Sequence, residues 1–517
     1  MGNLVAKNVE ENFEQLCNQL VANDPRSPNG RLQWASPPFT EAEQKRLLEC
    51  LGQNTSLKRL VLRDLDAFPD CAALADILQK HPALTSLGFF GRLPKENFGV
   101  LSKAFIANGS ITELEFNTCI LPPDTVDGII TILTSCKKIS ALRLRGCQIE
   151  PTELERLTLA LQEASTLLVL EISLKPPITS TPSAEQLASV FKSQKSPLQD
   201  VSFAGFLKDD IPVVAKGAQG HATLQCLKFQ EPAINDHSAT AMGDLISSLP
   251  ALLKLDLSNC RLSAVGGKKL AQALENTTSS TLRELYLSHN ALGDDGTAAL
   301  GDALKCCSNL LVLDVRLNKI GTVGLSSLAK AIASNPALLA LRIGEEFVMP
   351  GRRFEEKDMQ ALADMLVHNK NLRKLYMEDA SFHDQGMQLI LKALEQNTTL
   401  QDWNFSCFST ASLRLLISKL SELHLKKIGV RVHGDEIELD EALGQEVLTN
   451  LRKNEGLLAF DISGLKEDSE SVWKSLQPAV QNILANRRSG SGTKRFLDAG
   501  ENSFNQEKAI KPSEGQE

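Results

Sequence analysis

The residues of this chain best suited to nucleophilic catalysis or metal binding are its eight histidines and eleven cysteines. A zinc site needs thiolates or imidazoles at short, fixed spacings, and no Cys-x-x-Cys or His-x-x-x-His pair occurs. An activated serine needs a tight turn after a strand, whereas the Ser-Gly-Ser-Gly run at 489–492 lies in a polar segment. The sequence therefore predicts no catalytic, cofactor-binding or metal-binding residue, and we expect a protein that is not an enzyme.

The cysteines are odd in number and spread along the whole chain, which is typical of proteins from a reducing compartment. We therefore expect reduced, structural thiols and a cytoplasmic protein.

Length, charge and hydropathy restrict the partners. A chain of 517 residues exceeds what one globular core usually supports, so several domains or a repeat array are expected. The net charge of −8 comes without a Lys/Arg stripe, which argues against nucleic acid. No apolar run approaches the roughly 20 residues that cross a bilayer. We expect a monomer that binds neither nucleic acid nor membrane and whose partner is another protein.

One phrase recurs along the chain: apolar-x-x-apolar-x-apolar, in fifteen copies. Its fourteen steps cover 400 residues from Leu57 to Leu457, a mean of about 29 residues. The phrase has the two-residue period of a strand, and the segments between copies have the apolar spacing of a helix. The middle apolar residues of the copies are Leu60, Leu87, Leu114, Leu142, Leu170, Val201, Leu227, Leu255, Leu285, Leu313, Leu341, Leu375, Trp403, Ile428 and Phe460.

Asparagine stands three residues before the strand phrase in six repeats, at Asn54, Asn108, Asn335, Asn369, Asn397 and Asn454. Because Asn tolerates left-handed backbone, we predict that it closes each helix in that conformation. His81 and His221 take the same position, so we expect caps there rather than catalytic bases. The Asn-x-Ser/Thr triplets in this phase are likewise interpreted as helix caps rather than glycosylation sites.

A second polar position follows the strand by three residues and is filled by Asn290, Asn318, Cys119, Cys147 and Cys260. With the strand phrase and the repeat length, it makes the chain resemble the ribonuclease-inhibitor-like class of leucine-rich repeat, shared with the Ran GTPase-activating protein and the sensing arrays of NOD-like receptors. The resemblance covers about four fifths of the chain. It implies an α/β leucine-rich-repeat solenoid, a horseshoe of about fifteen repeats with a parallel inner sheet and outer helices. It also implies a non-catalytic scaffold that binds protein on its concave face.

The repeat phase also sets the predicted domain boundaries. We expect an N-terminal cap over 1–56, the leucine-rich-repeat array over 57–465, a capping helix over 466–488 and a disordered tail over 489–517.

Two steps depart from the regular spacing, one of 34 residues around 345–357 and one of 31 residues around 175–182. Such insertions are either tolerated surface loops or a rim that contacts the partner. An arginine offered from the first loop, Arg352 or Arg353, would suit a GTPase-activating protein of the Ran activator type, which is the enzymatic alternative. An intracellular inhibitor or adaptor and a bacterial effector acting in host cytosol are the alternatives without catalysis.

The residue between the last two apolar positions of each strand phrase is predicted to point to the concave face and to be solvated. The only two tyrosines, Tyr286 and Tyr376, both fall in this row. Tyrosine suits a strand face for packing alone, yet an exposed, stiff aromatic is also a typical interface anchor. The predicted protein-binding residues, of mixed charge, are Tyr286, Tyr376, Asp256, Glu284, Asp314, Arg316, Arg342, Lys374 and Glu378.

Overall fold

The chain folds into repeated strand-and-helix modules. The computed structural model describes residues 17–23, 31–35, 40–63, 70–175, 181–192, 197–205, 210–230, 236–276, 281–344, 355–381, 384–407, 409–432 and 437–490. The chain divides into two compact units, Met1–Leu310 and Leu311–Glu517.

The first unit contains a parallel sheet in which the apolar residues of successive repeats lie opposite one another. Leu60 aligns with Leu87 and Leu87 with Leu114, and the same register continues to Leu255 and Leu285. Its described strands are β1 Arg31–Ala35, β2 Arg59–Arg63, β3 Ser86–Phe90, β4 Glu113–Asn117, β5 Ile120–Leu121, β6 Ala141–Ile149, β7 Val169–Leu174, β8 Asp200–Ala204, β9 Cys226–Gln230, β10 Lys254–Asp256 and β11 Glu284–Tyr286. Strand β5 pairs with the end of β6, while β4 pairs with the beginning of β6.

The second unit repeats this arrangement, with Leu313 opposite Leu341 and Leu341 opposite Leu375. Its described strands are β12 Val312–Asp314, β13 Ala340–Arg342, β14 Lys374–Ser381, β15 Asp402–Cys407, β16 Lys427–Val432 and β17 Ala459–Ser463. In both units the middle apolar residues of neighbouring repeats are in register. The predicted strand phase and the predicted fold class, a leucine-rich-repeat solenoid with a parallel sheet and helices, are therefore confirmed.

The helices pack against the face of each sheet on which the leucines lie. The Phe89 ring of β3 is 5.4 Å from the ring of Phe98 on the following helix, and Phe460 of β17 is 5.9 Å from Trp473. In the first unit the helices are Glu41–Gln53, Cys71–Lys80, Lys95–Ala107, Pro123–Ser135, Pro151–Glu163, Thr181–Val190, Ile211–Ala218, Asp236–Ser248, Ala264–Asn276 and Gly293–Cys306, with a further helical segment at 17–21. In the second unit they are Thr322–Ser334, Glu356–His368, Asp384–Gln396, Thr410–Lys419, Glu441–Lys453 and Glu467–Gly490.

The asparagines at the helix ends are not left-handed, and that prediction is wrong. Asn369 has φ −73° and ψ 129°, which is extended backbone. Its side chain does the capping: Nδ2 donates to the carbonyl of Ile332 in the preceding repeat at 2.6 Å, and Oδ1 accepts from the backbone N–H of Leu372 at 2.6 Å. One buried amide thus joins a helix end to the next strand and to the neighbouring repeat. We call this arrangement the asparagine clasp, and it recurs at Asn54, Asn108, Asn397 and Asn454.

The left-handed backbone occurs instead at the bend after the strand. His289 has φ 56° and Leu317 has φ 56°, directly before the bend residues Asn290 and Asn318. Asn290 Nδ2 donates to the carbonyls of Leu287 and Leu257, and its Oδ1 accepts from two backbone N–H groups of the preceding repeat. The predicted bend position is therefore confirmed for this residue, since its amide satisfies the backbone groups that the turn leaves unpaired.

The first described strand extends the sheet beyond the fifteen predicted copies. Strand β1 pairs with β2, with Leu32 opposite Leu60 and Trp34 opposite Leu62. The phrase is incomplete there because Asn29 stands where the leading apolar residue would be.

Both termini of the chain lie partly beyond the described residues. The amphipathic segment predicted at Val9–Leu20 lies mostly outside them, as do residues 491–517 of the predicted tail. Among the described helices, none is long and apolar enough to cross a membrane.

Candidate protein-binding face

The side of each sheet that faces away from the leucines carries most of the polar strand residues, and we call it the polar face. Its central row runs through Val61, Gly88, Glu115 and their register partners, and the two outer rows hold the residues two positions before and after. The prediction that the central row is solvated is wrong for part of it. Gly88, Glu115, Asp256, Asp314 and Asn404 are buried. Strands about 4.8 Å apart bring long side chains from neighbouring repeats over the shorter ones.

Tyr286 lies on β11 among charged side chains of the first unit. Its hydroxyl donates to Glu284 Oε2 at 3.0 Å, and Lys254 Nζ lies 4.6 Å from the centre of its ring. Lys254 also approaches Glu284 at 3.8 Å. On the adjacent strand Asp256 pairs with Lys228 at 3.2 Å, and its exposed fraction is only 8 %. The half-buried ring is therefore held between a cation and a carboxylate, and we call these five residues the Tyr286 cluster.

Tyr376 has a related environment in the second unit. The guanidinium carbon of Arg342 lies 5.4 Å from the centre of its ring. Arg342 Nη1 lies 3.6 Å from Asp314 Oδ2. Arg316 donates to the same carboxylate from Nε at 3.0 Å and from Nη2 at 2.7 Å. These two arginines cover Asp314, whose exposed fraction is 1 %. We call Tyr376, Arg342, Asp314 and Arg316 the Tyr376 cluster.

The remaining predicted residues near Tyr376 are Lys374 and Glu378. Lys374 lies 3.9 Å from Asp402 on β15, a residue that the sequence analysis did not select. Burial raises the pKa of Asp402, while the charges of Lys374, Lys427 and Lys426 oppose that effect. The side chain of Glu378 lies outside the described residues.

A network of ion pairs on β2 to β7 was missed by the sequence analysis. Arg59 and Arg145 both bind the buried carboxylate of Glu115, and Arg145 also binds Glu171 through Nε and Nη2 at 2.8 and 2.7 Å. Arg143 binds Glu113 at 3.0 Å. Burial alone would lower the pKa of Arg145, but its bonds to Glu171 and Glu115 raise it. The alternation Glu115, Arg143, Glu171 in the central row was the signal that could have indicated this network.

Most thiols of the described residues are buried, whereas Cys306 is exposed. Burial raises the pKa of Cys71 to about 11 and that of Cys226 to about 12. Cys260 is fully buried, and its thiol donates to the carbonyl of Phe229 at 3.3 Å. Since the thiolate is the nucleophile, these groups fit structural roles, as predicted for Cys260.

The two long steps carry no described site. Residues 345–354, including Arg352 and Arg353, lie outside the described residues, and so do residues 176–180.

Comparison with known proteins places the repeats in a wider context. A leucine-rich-repeat family model matches residues 249–271, 278–301 and 306–329. The chain is similar to the mouse NACHT, LRR and PYD domains-containing protein 14, with 23% identity over 309 residues that cover 58% of this chain and 30% of that protein. It is also similar to pig ribonuclease inhibitor, with 28% identity over 182 residues that cover 29% of this chain and 38% of the inhibitor.

The chain thus spans less than two fifths of the length of either relative. Among solved structures it is similar to a chain of the yeast Rad7 and Elc1 complex, with 14% identity, a TM-score of 0.39 and coverage of 77% of this chain and 88% of that one. This superposition carries no argument about function. The family model, the two curated relatives and the repeat geometry agree, and the repeats of this chain are leucine-rich repeats of the ribonuclease-inhibitor-like class.

Proposed function

We propose that this chain is a non-catalytic scaffold that binds a protein partner on its polar face, with Tyr286 and Tyr376 as anchors. The leucine-rich-repeat relatives support a protein-binding scaffold in general. The observation that carries the finer proposal is that each unit has one of the two tyrosines on its polar face, beside a cation that approaches a carboxylate.

A sheet of this kind is ordered before a partner arrives, so little conformational entropy is lost on binding. Tyrosine adds a large, stiff contact surface with a hydroxyl that can exchange its partner. In the Tyr286 cluster that hydroxyl already donates a hydrogen bond to Glu284, and the ring contacts the ammonium group of Lys254. Both clusters therefore offer preorganised aromatic surface surrounded by charges of both signs.

The partner that fits this surface has mixed charge as well. The Tyr286 cluster holds two cations and two carboxylates, whereas the Tyr376 cluster holds two arginines and one carboxylate, so neither carries a large net charge. A strongly charged partner would gain little from such pairs, whereas a partner with one apolar or aromatic contact and a few polar groups would match.

Site-specific photo-crosslinking tests the proposal. A benzoylphenylalanine replaces Tyr286 or Tyr376 in the full chain, and the matched control carries it at Leu159, which is 58% exposed on the helix Pro151–Glu163. After irradiation in animal and bacterial lysates, we expect the same protein to be crosslinked from both tyrosine positions and not from position 159. A further variant carries benzoylphenylalanine at position 352. Crosslinks from that variant alone would place the binding site in the long step at 345–357 and contradict the proposal.

The cellular setting is a separate part of the proposal. An inhibitor or adaptor in the cytoplasm and an effector delivered into host cytosol would use the same binding face. A translocation reporter distinguishes them: if the chain is an injected effector with its signal in the tail, removing Ser489–Glu517 abolishes entry into host cells. Entry without the tail, or no entry of the full chain, contradicts that setting.

A further inference from the structure

One arginine of the polar face pairs with no carboxylate of the described residues, unlike its neighbours. Arg63, at the end of β2, lies opposite Phe90 on β3, and Phe90 lies opposite Asn117 on β4. The guanidinium carbon of Arg63 is 4.2 Å from the centre of the Phe90 ring, and both side chains are half-buried. A guanidinium at this distance from a ring is stabilised by the quadrupole of the ring.

The nearby glutamates are already engaged by other arginines. Glu115 is bound by Arg59 and Arg145, Glu171 by Arg145 and Glu113 by Arg143. Among the described residues, Arg63 makes no ion pair. In the described strands β2 to β7, four arginines therefore face three glutamates, and the positive charge left over is that of Arg63.

The two ion pairs of Glu115 explain why its carboxylate does not turn to Arg63. Arg59 on β2 reaches past β3 to bind Glu115 on β4, a contact that spans 56 positions of the chain. With Glu115 held from both sides and 97% of its side chain buried, its carboxylate cannot rotate toward Arg63 without breaking two ion pairs.

The chemistry of Arg63 selects the ligand. Stacking fixes the plane of the guanidinium, and because its Nε is buried, a ligand would meet the two terminal amino groups. A planar donor fork of this kind matches the two oxygens of a carboxylate. We propose that the Arg63–Phe90 pair is a second contact site, which binds an aspartate or glutamate side chain in an acidic segment of a protein partner.

A polyanion such as a nucleic acid fits less well. A row of phosphates is held by several cations, whereas Arg63 is the one arginine of β2 to β7 that pairs with no carboxylate of the described residues. The site is therefore suited to a single acidic residue or a short acidic run.

Fluorescence anisotropy on the full chain tests this proposal with a labelled hexaglutamate peptide. A hexaglutamine peptide is the neutral counterpart, and a six-residue oligodeoxythymidine tests for phosphate. We expect hexaglutamate to bind more tightly than either. Arg63→Gln should weaken its binding about tenfold, since a charge-assisted hydrogen-bond pair is lost. Arg63→Lys should also weaken it several-fold, because the charge stays but the planar fork is lost.

Arg156→Gln is the matched control. Arg156 is 45% exposed on the helix Pro151–Glu163 and is already paired with Asp127 and Glu153, so its replacement should leave the affinity unchanged. Tyr286→Ala with Tyr376→Ala should also leave it unchanged, which separates this site from the proposed tyrosine anchors. Thermal melting shows whether each variant is folded, and Phe90→Leu, which removes only the ring, replaces Arg63→Gln if that variant does not fold.

The proposal is overturned if Arg63→Gln and Arg156→Gln weaken binding equally, because the effect would then be one of net charge. It is also overturned if hexaglutamine or the oligonucleotide binds as tightly as hexaglutamate. Wild-type affinity in Arg63→Lys would contradict the role of the stacked fork.

Discussion

The leucine side of the sheets and the polar face differ in how they use the repeat. On the leucine side each repeat places the same residue type in the same position: Leu255 and Leu285 are opposite each other and fully buried, and the asparagine clasp recurs with the same bonds. On the polar face the residue changes from repeat to repeat, and its contacts reach across one or two strands. The comparison indicates that repeat positions with the same residue type in every repeat stabilise the fold. Positions whose residue type changes from repeat to repeat are available for binding.

The largest effect on stability should come from the leucine layer. Leu255 is fully buried in the sheet, so Leu255→Ala should lower the free energy of unfolding by about 2 to 5 kcal/mol through the cavity it leaves. Cys260→Ser, a few residues later, is the control, because a serine hydroxyl can keep the bond to the carbonyl of Phe229. Urea unfolding measures both variants. Equal losses would mean that the leucine does not belong to the core in the way described.

A smaller loss is expected at the asparagine clasp. Asn369→Ala leaves the N–H of Leu372 without its acceptor and removes one of two donors from the carbonyl of Ile332, which should cost about 1 to 3 kcal/mol in the free energy of unfolding. Asn371→Ala is the control, since its side chain reaches the carbonyl of Asn335 only at 3.5 Å. The clasp is not a structural element if the two variants unfold at the same urea concentration.

The smallest effect depends on pH. His81 takes the clasp position, where its Nδ1 accepts from the N–H of Leu84 at 3.2 Å. Burial lowers the pKa of this imidazole below the ordinary 6.5, and the positive charge of Lys58 lowers it further. The unfolded chain therefore takes up a proton first, and stability falls as the pH drops from about 6.5 to the lowered pKa. His81→Asn should remove this part of the pH dependence.

Urea unfolding between pH 5 and 7.5 follows the difference between His81→Asn and the wild type. His221 is present in both proteins, so its own titration cancels. A constant difference across this range would show that His81 does not act as a neutral acceptor in the fold.

The strands were predictable because their signal is local. Spacing alone predicts the strands that contain Leu313, Leu341 and Leu375, and the register of these strands follows from the same spacing. The conformation of Asn369 was not predictable in this way, since its hydrogen-bond partner Ile332 lies 37 positions away. Its side-chain amide can cap the helix from an extended backbone, so a left-handed backbone is not needed.

The polar face was the least predictable region for the same physical reason. Which charges meet depends on neighbours about 30 residues apart, and in the case of Arg59 on a glutamate 56 positions away. The position of the central row was predicted correctly. The burial of Asp314 depends on two arginines, one from its own repeat and one from the next. Position follows from the repeat period, whereas exposure follows from side-chain packing.

The central claim is that the polar face binds the partner and the leucine side only supports it. The most direct test is the affinity of the crosslinked partner for the double variant Tyr286→Ala, Tyr376→Ala, measured by calorimetry together with the melting temperature. We predict that binding weakens by about 2 kcal/mol or more while the melting temperature stays nearly unchanged, because both rings are only half-buried. Unchanged affinity in this variant, with a loss when Arg352 and Arg353 are replaced instead, would contradict the claim.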